Sequence, residues 1–284
     1  MTTEEKLLEA IEKRGHEAKL NDVVKNGVVR KAIAVKGKGN CSLNIYIEQF
    51  VKDTENGADP DTVADEILAI AAKHDGIYFD IENTFNREYI MSHVSIAVQR
   101  ESTENLIKKS CEFEGLECYL YLRVKVQREE GCIKLNSMIL ERTGLTEEEI
   151  WEQAEKNLRA ETVIKPIFDV VCEIMKESGR NPEFSDKQKQ EMMAESDKEI
   201  YVITNKLKFY GASAILDKVN IKAFAEKCGV KNFIVIPSSR HEMILVPEMA
   251  TVDFAVISNM VKEINETMVS AEDRLTDRAY RMTA

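Results

Sequence analysis

Segments with the two-residue period of a β-strand and segments with the period of an α-helix follow one another along the whole chain. Leu43, Ile45 and Ile47 alternate with polar neighbours, and residues 118–126 alternate in the same way. Residues 63–71 instead carry apolar side chains at helical spacing. Strands and helices mixed in runs of this kind predict an α+β (mixed α/β) fold. We expect mixed or antiparallel sheets flanked by helices.

Two dipeptides fix local structure in the first third of the chain. Asn26 and Gly27 stand between β-branched residues, and this pair favours the type I′ turn of a β-hairpin because both positions need a positive φ angle. Asp59 and Pro60 are the residues that helix starts prefer, as N-cap and first helical position. The sequence therefore predicts a hairpin near residue 26 and a helix from residue 60.

Capping signals place further helices. Thr3 is predicted to cap a first helix, and Thr146 with Glu149 has the spacing of a capping box. Pro166 is predicted to start a helix that runs to about Glu177. Further strands are predicted at 88–98, 118–126, 200–204, 233–237 and 243–247, with a short segment from Gly131 to Ile139 and helices from Gly211, at 221–228 and at 254–268.

The negative charge of the chain is uneven. The formal net charge is −11, and residues 141–200 hold 16 acids and 9 bases, so they contribute −7 of it. The most polar part, after residue 178, predicts a solvated helix or a linker rather than a core element. We therefore expect a strand-rich N-terminal α/β domain at 1–178, an acidic polar linker or exposed helix at 179–198, and a smaller C-terminal α/β domain at 199–284.

Composition also bears on the class of protein. An acidic surface repels phosphate backbones, so general nucleic-acid binding is not expected. The apolar stretches are too short for a transmembrane helix, and the acidic, polar start is unlike a signal peptide. Cysteine pairs of the CxxC type are absent, and the histidines are scattered, so no metal site or cofactor is predicted. These features favour a soluble protein of a reducing cytoplasm.

The first candidate site is the link between the two last predicted strands, with Ser238, Ser239, Arg240, His241 and Glu242. Link residues held by rigid strands are common functional groups. A serine could be a nucleophile with His241 as its base, although triad members normally come from separate elements. A binding role is a second interpretation. The third is a tight turn whose hydroxyls bond nearby backbone amides, and this interpretation is favoured.

The second candidate site follows the predicted strand 200–204. Asn205 and Lys206 end this strand, and Tyr210 and Gly211 lead into a helix. Backbone amides at a helix start bind anions, and Lys206 would add charge. One glycine is a weak signal for a phosphate loop, so the favoured alternative is a connection in which Gly211 allows close packing.

The two candidate sites could converge. Both follow strands of the last third, which would place Lys206 near Arg240 and His241. In an acidic chain, such a basic cluster favours an anionic ligand or an acidic partner surface. The sequence then predicts that Asn205, Lys206, Arg240 and His241 line one pocket.

Three stretches carry a resemblance to a known family. They are Gly144-Leu145-Thr146-Glu147-Glu148-Glu149-Ile150, Tyr201-Val202-Ile203-Thr204-Asn205-Lys206 and Ile236-Pro237-Ser238-Ser239-Arg240-His241-Glu242. Together they resemble an uncharacterised family of gut anaerobic Firmicutes, defined as a domain of unknown function. Its members occur in chromosomes and in mobile-element or phage-like regions. The resemblance implies no activity, and the mobile-element context implies that binding of a host protein is worth testing.

Two hypotheses of function follow. The leading one is a cytoplasmic, non-enzymatic protein-interaction or accessory protein, for example of a mobile element acting on a host protein, with a protein partner of unknown identity. Charge complementarity would then favour basic partners. The alternative is a domain or enzyme that binds a small anionic ligand, a nucleotide or a phosphorylated metabolite, through Asn205, Lys206, Arg240 and His241.

Overall fold

The computed structural model describes residues 1–126, 129–179, 200–249 and 253–284. Within these residues the strands form three antiparallel sheets flanked by helices, which confirms the predicted α+β class. The chain divides into two compact units. The first unit comprises residues 1–86 and 123–132, and the second comprises residues 87–122 and 133–284.

The first unit contains a three-stranded sheet covered by helices. Its helices are α1 Thr3–Lys13, α2 Glu48–Glu55 and α3 Pro60–Lys73, and its sheet has the order β1 Ala18–Lys25, β2 Val28–Val35 and β3 Leu43–Tyr46. The core contains Leu7 and Ile11 from α1, Ile33 from β2 and Ile67 from α3, all fully buried.

The predicted turn and helix caps of the first unit are present, and the cap of α1 lies one residue earlier than predicted. Asn26 and Gly27 have φ angles of 50° and 73° and join β1 to β2, so the predicted hairpin is confirmed. The Asp59 side chain accepts the N–H of Thr62 at 3.2 Å and starts α3. The cap of α1 is Thr2 and not the predicted Thr3, because only the hydroxyl of Thr2 lies three residues before Glu5, which completes a capping box.

The second unit begins with a helix and a sheet of long strands. The elements here are α4 Arg87–His93, β4 Val94–Arg100, β5 Lys108–Ser110, β6 Leu116–Val126, β7 Glu129–Lys134, α5 Ser137–Thr143 and α6 Glu147–Glu161. The end of β6 and the start of β7, within residues 123–132, belong to the first unit. A short 3₁₀ helix, Glu82–Phe85, precedes them. The central strand β6 pairs with β4, β5 and β7. Tyr119, Leu120, Tyr121 and Leu122 of β6 are at most 2% exposed.

The strand predicted at 88–98 is wrong in its first half. Residues 87–93 form α4, and the strand begins at Val94. The side chain of Asn157, on α6, fixes this boundary by donating to the carbonyl oxygens of Met91 and Val94 at 3.1 and 2.9 Å. A partner 63 residues or more away therefore sets the change from helix to strand, and no local pattern reveals it.

The rest of the second unit is a five-stranded sheet with helices. Its elements are β8 Thr162–Pro166, α7 Ile167–Glu177, β9 Tyr201–Asn205, a 3₁₀ helix Gly211–Leu216, α8 Lys218–Cys228, β10 Asn232–Ser239, β11 Glu242–Pro247, α9 Phe254–Met268 and β12 Tyr280–Thr283. The strand order is β12-β10-β11-β9-β8. Pro166 ends β8 and precedes α7, so the predicted helix starts one residue later than expected.

The compact units divide the chain differently from the predicted domains at 1–178 and 199–284. Strand β8 precedes the predicted linker at 179–198 and β9 follows it, yet Ile164 pairs with Ile203 in one sheet. Backbone hydrogen bonds between these strands place both sides of the linker in the second unit. Residues 180–198 of the linker itself lie outside the described residues.

Candidate functional site

The turn between β10 and β11 carries the first candidate site. Ser238 and Ser239 end β10, Glu242 begins β11 and pairs with Ser239, and Arg240 and His241 form the turn between them. The Ser239 hydroxyl accepts the N–H of His241 at 3.0 Å. The serine thus closes the turn through its side chain.

The imidazole of His241 is held by groups on both sides. The N–H of Tyr210 donates to Nδ1 at 3.3 Å, so a neutral ring carries its proton on Nε2. Nε2 lies 3.6 Å from Oδ1 of Asp273. The rings of Tyr210 and His241 are stacked, with centroids 5.8 Å apart. Within the described residues no hydrogen bond joins either ring nitrogen to a serine.

Arg240 joins the same cluster from the other turn position. Its Nε donates to Oδ1 of Asp273 at 3.0 Å, and its backbone N–H donates to the Asp273 carbonyl oxygen at 2.9 Å. The guanidinium carbon lies 4.8 Å from the ring centroid of Tyr210. We call Tyr210, Arg240, His241 and Asp273 the hairpin cluster. Its contacts attach the loop after α9 to the β10–β11 turn.

The charge of Asp273 is stabilised within this cluster. Partial burial acts to raise the pKa of Asp273, but the hydrogen bond from Ser270 and the charge of Arg240 outweigh it. The pKa therefore lies below its ordinary value, and the carboxylate is ionised at neutral pH. A permanent anion beside Arg240 reduces the attraction of this cluster for an anionic ligand.

Gly211 is needed where the 3₁₀ helix meets the sheet. Tyr210 before it adopts a left-handed conformation with φ of 51°. A Cβ atom on Gly211 would lie 2.2 Å from Oγ1 of Thr204 and 2.5 Å from the carbonyl oxygen of His241. The glycine thus serves close packing of backbone on backbone, the alternative that the sequence favours.

Asn205 and Lys206 have structural partners away from the hairpin cluster. The Asn205 amide donates to the Phe209 carbonyl oxygen at 2.8 Å and accepts the Phe209 N–H at 3.2 Å, which closes the loop after β9. Lys206 Nζ donates to the carbonyl oxygen of Ala160 at 2.8 Å, at the C-terminal end of α6. Cations stabilise helix C-termini, so this contact supports the fold.

The structure divides the predicted pocket in two. Asn205, Lys206 and Glu242 line a cavity of about 60 Å³, whereas Arg240 and His241 do not line it and pack on Tyr210. Such a volume corresponds to roughly two water molecules. This cavity brings Asn205 and Lys206 together without Arg240 and His241, and a ligand site at the four residues stays a prediction.

Helix α9 presents an apolar surface that sequence analysis does not single out. Val256, Met260, Ile264 and Met268 follow one another at four-residue spacing and are 54, 52, 47 and 82% exposed. Val261, on the same helix, is buried in a cluster with Ile234 of β10 and Val246 of β11. We call the four exposed side chains the α9 face.

The comparisons with known proteins give a family without an activity. A model of a family of unknown function, DUF5688, matches residues 2–283. The chain belongs to DUF5688. No curated protein and no solved structure matches it. The match confirms the predicted membership in a family of unknown function. It assigns no activity to this DUF5688 chain.

The described residues of this DUF5688 chain were compared with the requirements of a metal site and of a transmembrane helix. In the part that the structure describes, no group of three histidine, cysteine or carboxylate side chains could hold a metal ion. None of the described helices is long and apolar enough to cross a bilayer.

Sequence reasoning missed Asp273, which lies in the loop after α9. No motif surrounds this residue, and only the tertiary structure brings it to Arg240.

Proposed function

We propose that the chain is a non-enzymatic, cytoplasmic protein-interaction protein, and that the α9 face binds its partner. The exposure of four large apolar side chains in one row carries the proposal. Scattered apolar residues on a surface need no explanation, but contiguous apolar patches mark interaction sites in soluble proteins. The row extends over twelve residues of helix, or about 18 Å.

The geometry of the α9 face favours a helical partner. Side chains at i, i+4, i+8 and i+12 form a ridge that an amphipathic helix matches with its own apolar residues. Val261 and Asn265 anchor the inner side of α9, and Asn265 Nδ2 donates to Asp277 Oδ1 at 2.8 Å. The ridge is therefore presented on a fixed support, which reduces the entropy cost of binding.

Charge beside the α9 face favours a basic partner. Glu263 and Glu266 are exposed on the same helix and have no ion-pair partner among the described residues, and Lys262 is the one exposed base in α9. The whole chain has a net charge of −11. We therefore assign the α9 face to an amphipathic helix with Lys and Arg flanks, because opposite charges raise the association rate and the specificity.

The mobile-element context of the resembling family suggests a host protein as the source of this helix. Basic amphipathic segments are frequent in nucleic-acid-binding proteins, which an acidic protein can engage without binding nucleic acid itself. The hairpin cluster supports the non-enzymatic part of the proposal. Both nitrogens of His241 face groups other than a hydroxyl, and Arg240 is paired with Asp273.

A peptide titration tests the α9 face directly. The probe is a fluorescent 18-residue peptide with leucines at helical i, i+3 and i+4 spacing and lysines elsewhere, and fluorescence anisotropy reports its binding. We expect saturable binding to the wild-type chain. The double variant Met260→Gln with Ile264→Gln should bind at least about tenfold more weakly, since two buried apolar contacts are lost.

Matched controls separate the face from the helix as a whole. Ala255→Gln with Asn259→Gln adds the same side chains to exposed positions of α9 outside the row and should bind within about twofold of wild type. A glutamate version of the peptide should not bind. Equal binding of both peptides, or an unchanged affinity of the Met260 and Ile264 double variant, would contradict the proposal. A wild-type dimer that this variant makes monomeric in analytical ultracentrifugation would assign the face to self-association instead.

A further inference from the structure

The first compact unit contains a cavity that is separate from the hairpin cluster and from the α9 face. Its volume is about 340 Å³, in the lower range of small-molecule sites. The cavity lies between the segment before β1, the loop from β2 to β3 and the end of α3. The lining residues are His16, Glu17, Val35, Lys36, Gly37, Lys38, Cys41, Leu43, Leu68, Ala71, Ala72, His74 and Asp75.

The loop from β2 to β3 is built tightly onto the chain after α3. A Cβ atom on Gly39 would lie 1.9 Å from the carbonyl oxygen of Ile77, so only glycine fits there. The Asn40 side chain donates to the Phe79 carbonyl oxygen at 2.7 Å and accepts the Phe79 N–H at 2.8 Å. Asp75 accepts the N–H of Lys38 at 2.7 Å. These contacts hold the rim of the cavity in one shape before any ligand binds.

The rim gathers basic side chains that are far apart in the sequence. His16 and His74 line the same cavity, although 58 residues separate them. Their imidazoles have no hydrogen-bond or ion-pair partner among the residues that the structure describes. Lys36 is paired with Glu17 at 2.7 Å, and Lys38 lies 3.9 Å from Asp75, at the limit of an ion pair. The rim can therefore offer hydrogen-bond donors to a ligand from the two imidazoles and from Lys38, whose ion-pair contact is the longer of the two.

The floor of the cavity is apolar. Val35, Leu43, Leu68, Ala71 and Ala72 contribute aliphatic side chains from two strands and one helix. At about 30 Å³ for each water-sized volume, the cavity holds roughly ten non-hydrogen atoms. An apolar floor below a donor-rich rim matches a small molecule with an aliphatic body and a polar head.

We infer that this cavity binds a small amphipathic anion, a carboxylate or phosphate head on a short aliphatic body. The head group contacts His16, His74 and Lys38, and the body lies on the aliphatic floor. A metal ion does not explain the site, because the described histidine, cysteine and carboxylate groups do not converge on one point.

Four probes of equal chain length test the head group: hexanoate, hexyl phosphate, hexylamine and hexanol. Isothermal titration of the full chain should show saturable binding of one or both anions, with a Kd on the order of 1 mM or below. The amine and the alcohol should bind at least about fivefold more weakly. Preference between hexanoate and hexyl phosphate identifies the class of head group.

Variants place the binding in this cavity. His16→Gln with His74→Gln should weaken hexanoate binding at least about fivefold, and so should Lys38→Gln. Lys73→Gln, on the same helix end but outside the lining, should leave it unchanged. Glu17, Lys36, Lys38, Cys41 and Asp75 are the other charged or titratable groups of the lining, and all five remain in the histidine double variant.

The inference would be overturned by the absence of anion binding up to about 10 mM, by equal binding of hexylamine, or by full binding by the histidine double variant. Circular dichroism of each variant shows whether the fold is intact, and ¹H–¹⁵N spectra of the wild type with hexanoate should shift amides of residues 36–41. Shifts confined to other parts of the chain would also overturn it. The outcome is independent of the α9 face, which lies in the second unit.

Discussion

Arg240 and Asp273 are joined twice across 33 residues of sequence. The Arg240 side chain donates to the Asp273 carboxylate at 3.0 Å, and the Arg240 backbone N–H donates to the Asp273 carbonyl oxygen at 2.9 Å. The Arg240 side chain is only 14% exposed and that of Asp273 is 36% exposed. The pair therefore fixes the loop after α9 to the β10–β11 turn more firmly than a surface ion pair would.

Replacement of the Asp273 carboxylate should make the free energy of unfolding less dependent on pH in the acidic range. The folded-state pKa of Asp273 is lowered, so its charge stabilises the fold above the ordinary pKa of about 3.9, and this contribution is lost as the pH falls through the folded-state pKa. Asp273→Asn should cost about 1 kcal/mol at pH 7, a value reduced for solvent screening of the partly exposed group. Urea unfolding at pH 7, 4 and 3 should show the two curves converge at low pH. Glu266→Gln, at an exposed position, should match wild type, and a constant gap at all pH values would contradict the assignment.

Gly211 should tolerate no larger residue. Gly211→Ala places a Cβ atom 2.2 Å from Oγ1 of Thr204, and we expect a loss of about 3 kcal/mol because backbone on both sides must move. Gly144→Ala is the comparison, since its φ is +65° but nothing lies within 4 Å of the added atom. That variant should lose only about 1 kcal/mol, from backbone strain. Thermal unfolding of both proteins decides whether steric overlap or strain dominates, and equal losses would argue against close packing at Gly211.

The capping box of α6 should contribute measurably to stability. The Thr146 hydroxyl accepts the N–H of Glu149 at 3.2 Å, and the Glu149 carboxylate accepts the N–H of Thr146 at 2.8 Å. Thr146→Ala should destabilise the chain by about 1 kcal/mol, and Thr146→Ser should restore most of this loss because it keeps the hydroxyl. Chemical denaturation measures both. If the serine variant is as unstable as the alanine variant, the methyl group rather than the cap is responsible.

In a buried polar network at β6, the effects of replacing Lys108 and Glu117 on the free energy of unfolding should be strongly coupled. The Glu117 side chain is 9% exposed and accepts from Lys108 at 2.9 Å and from Gln99 and Ser102 at 2.8 Å each. Glu117→Leu removes the carboxylate that accepts from all three donors, and it should cost about 3 kcal/mol. Lys108→Met combined with Glu117→Leu should cost less than Glu117→Leu alone, because no charge then stays unpaired.

A double-mutant cycle by urea unfolding supplies that comparison. Additive losses would show that Lys108 and Glu117 act separately. The pKa of Glu117 lies below its ordinary value, since the hydrogen bonds from Gln99, Lys108 and Ser102 outweigh the opposing effect of burial. The contribution of the wild-type pair should therefore be present at neutral pH and be lost in acid.

The sequence predicts several elements correctly because the interactions that form them join residues close in the chain. Asn26 and Gly27 adopt the positive φ angles that close the first hairpin, and Asp59 caps α3 through a residue three positions away. The bounds of α9, Phe254–Met268, agree with its apolar periodicity. Each of these depends on interactions within one turn of helix or one hairpin.

Other elements have no such signal. The strand β12, Tyr280–Thr283, is short and pairs with β10, some 45 residues earlier. The candidate site shows the same limit. The sequence singled out Arg240, His241 and Tyr210, which do contact one another, but it gave no sign of Asp273 and placed Asn205 and Lys206 in the same pocket.

The sequence by itself determined the α+β class, most caps and turns, and the net negative charge, because these follow from residue type and near neighbours. Only the tertiary structure decided that β8 and β9 share a sheet, that His16 and His74 line one cavity, and that α9 keeps one apolar side exposed. Such pairings depend on which surfaces bury each other after distant segments meet. The entropy of closing long loops has to be offset by the whole set of contacts, and no single motif encodes that sum.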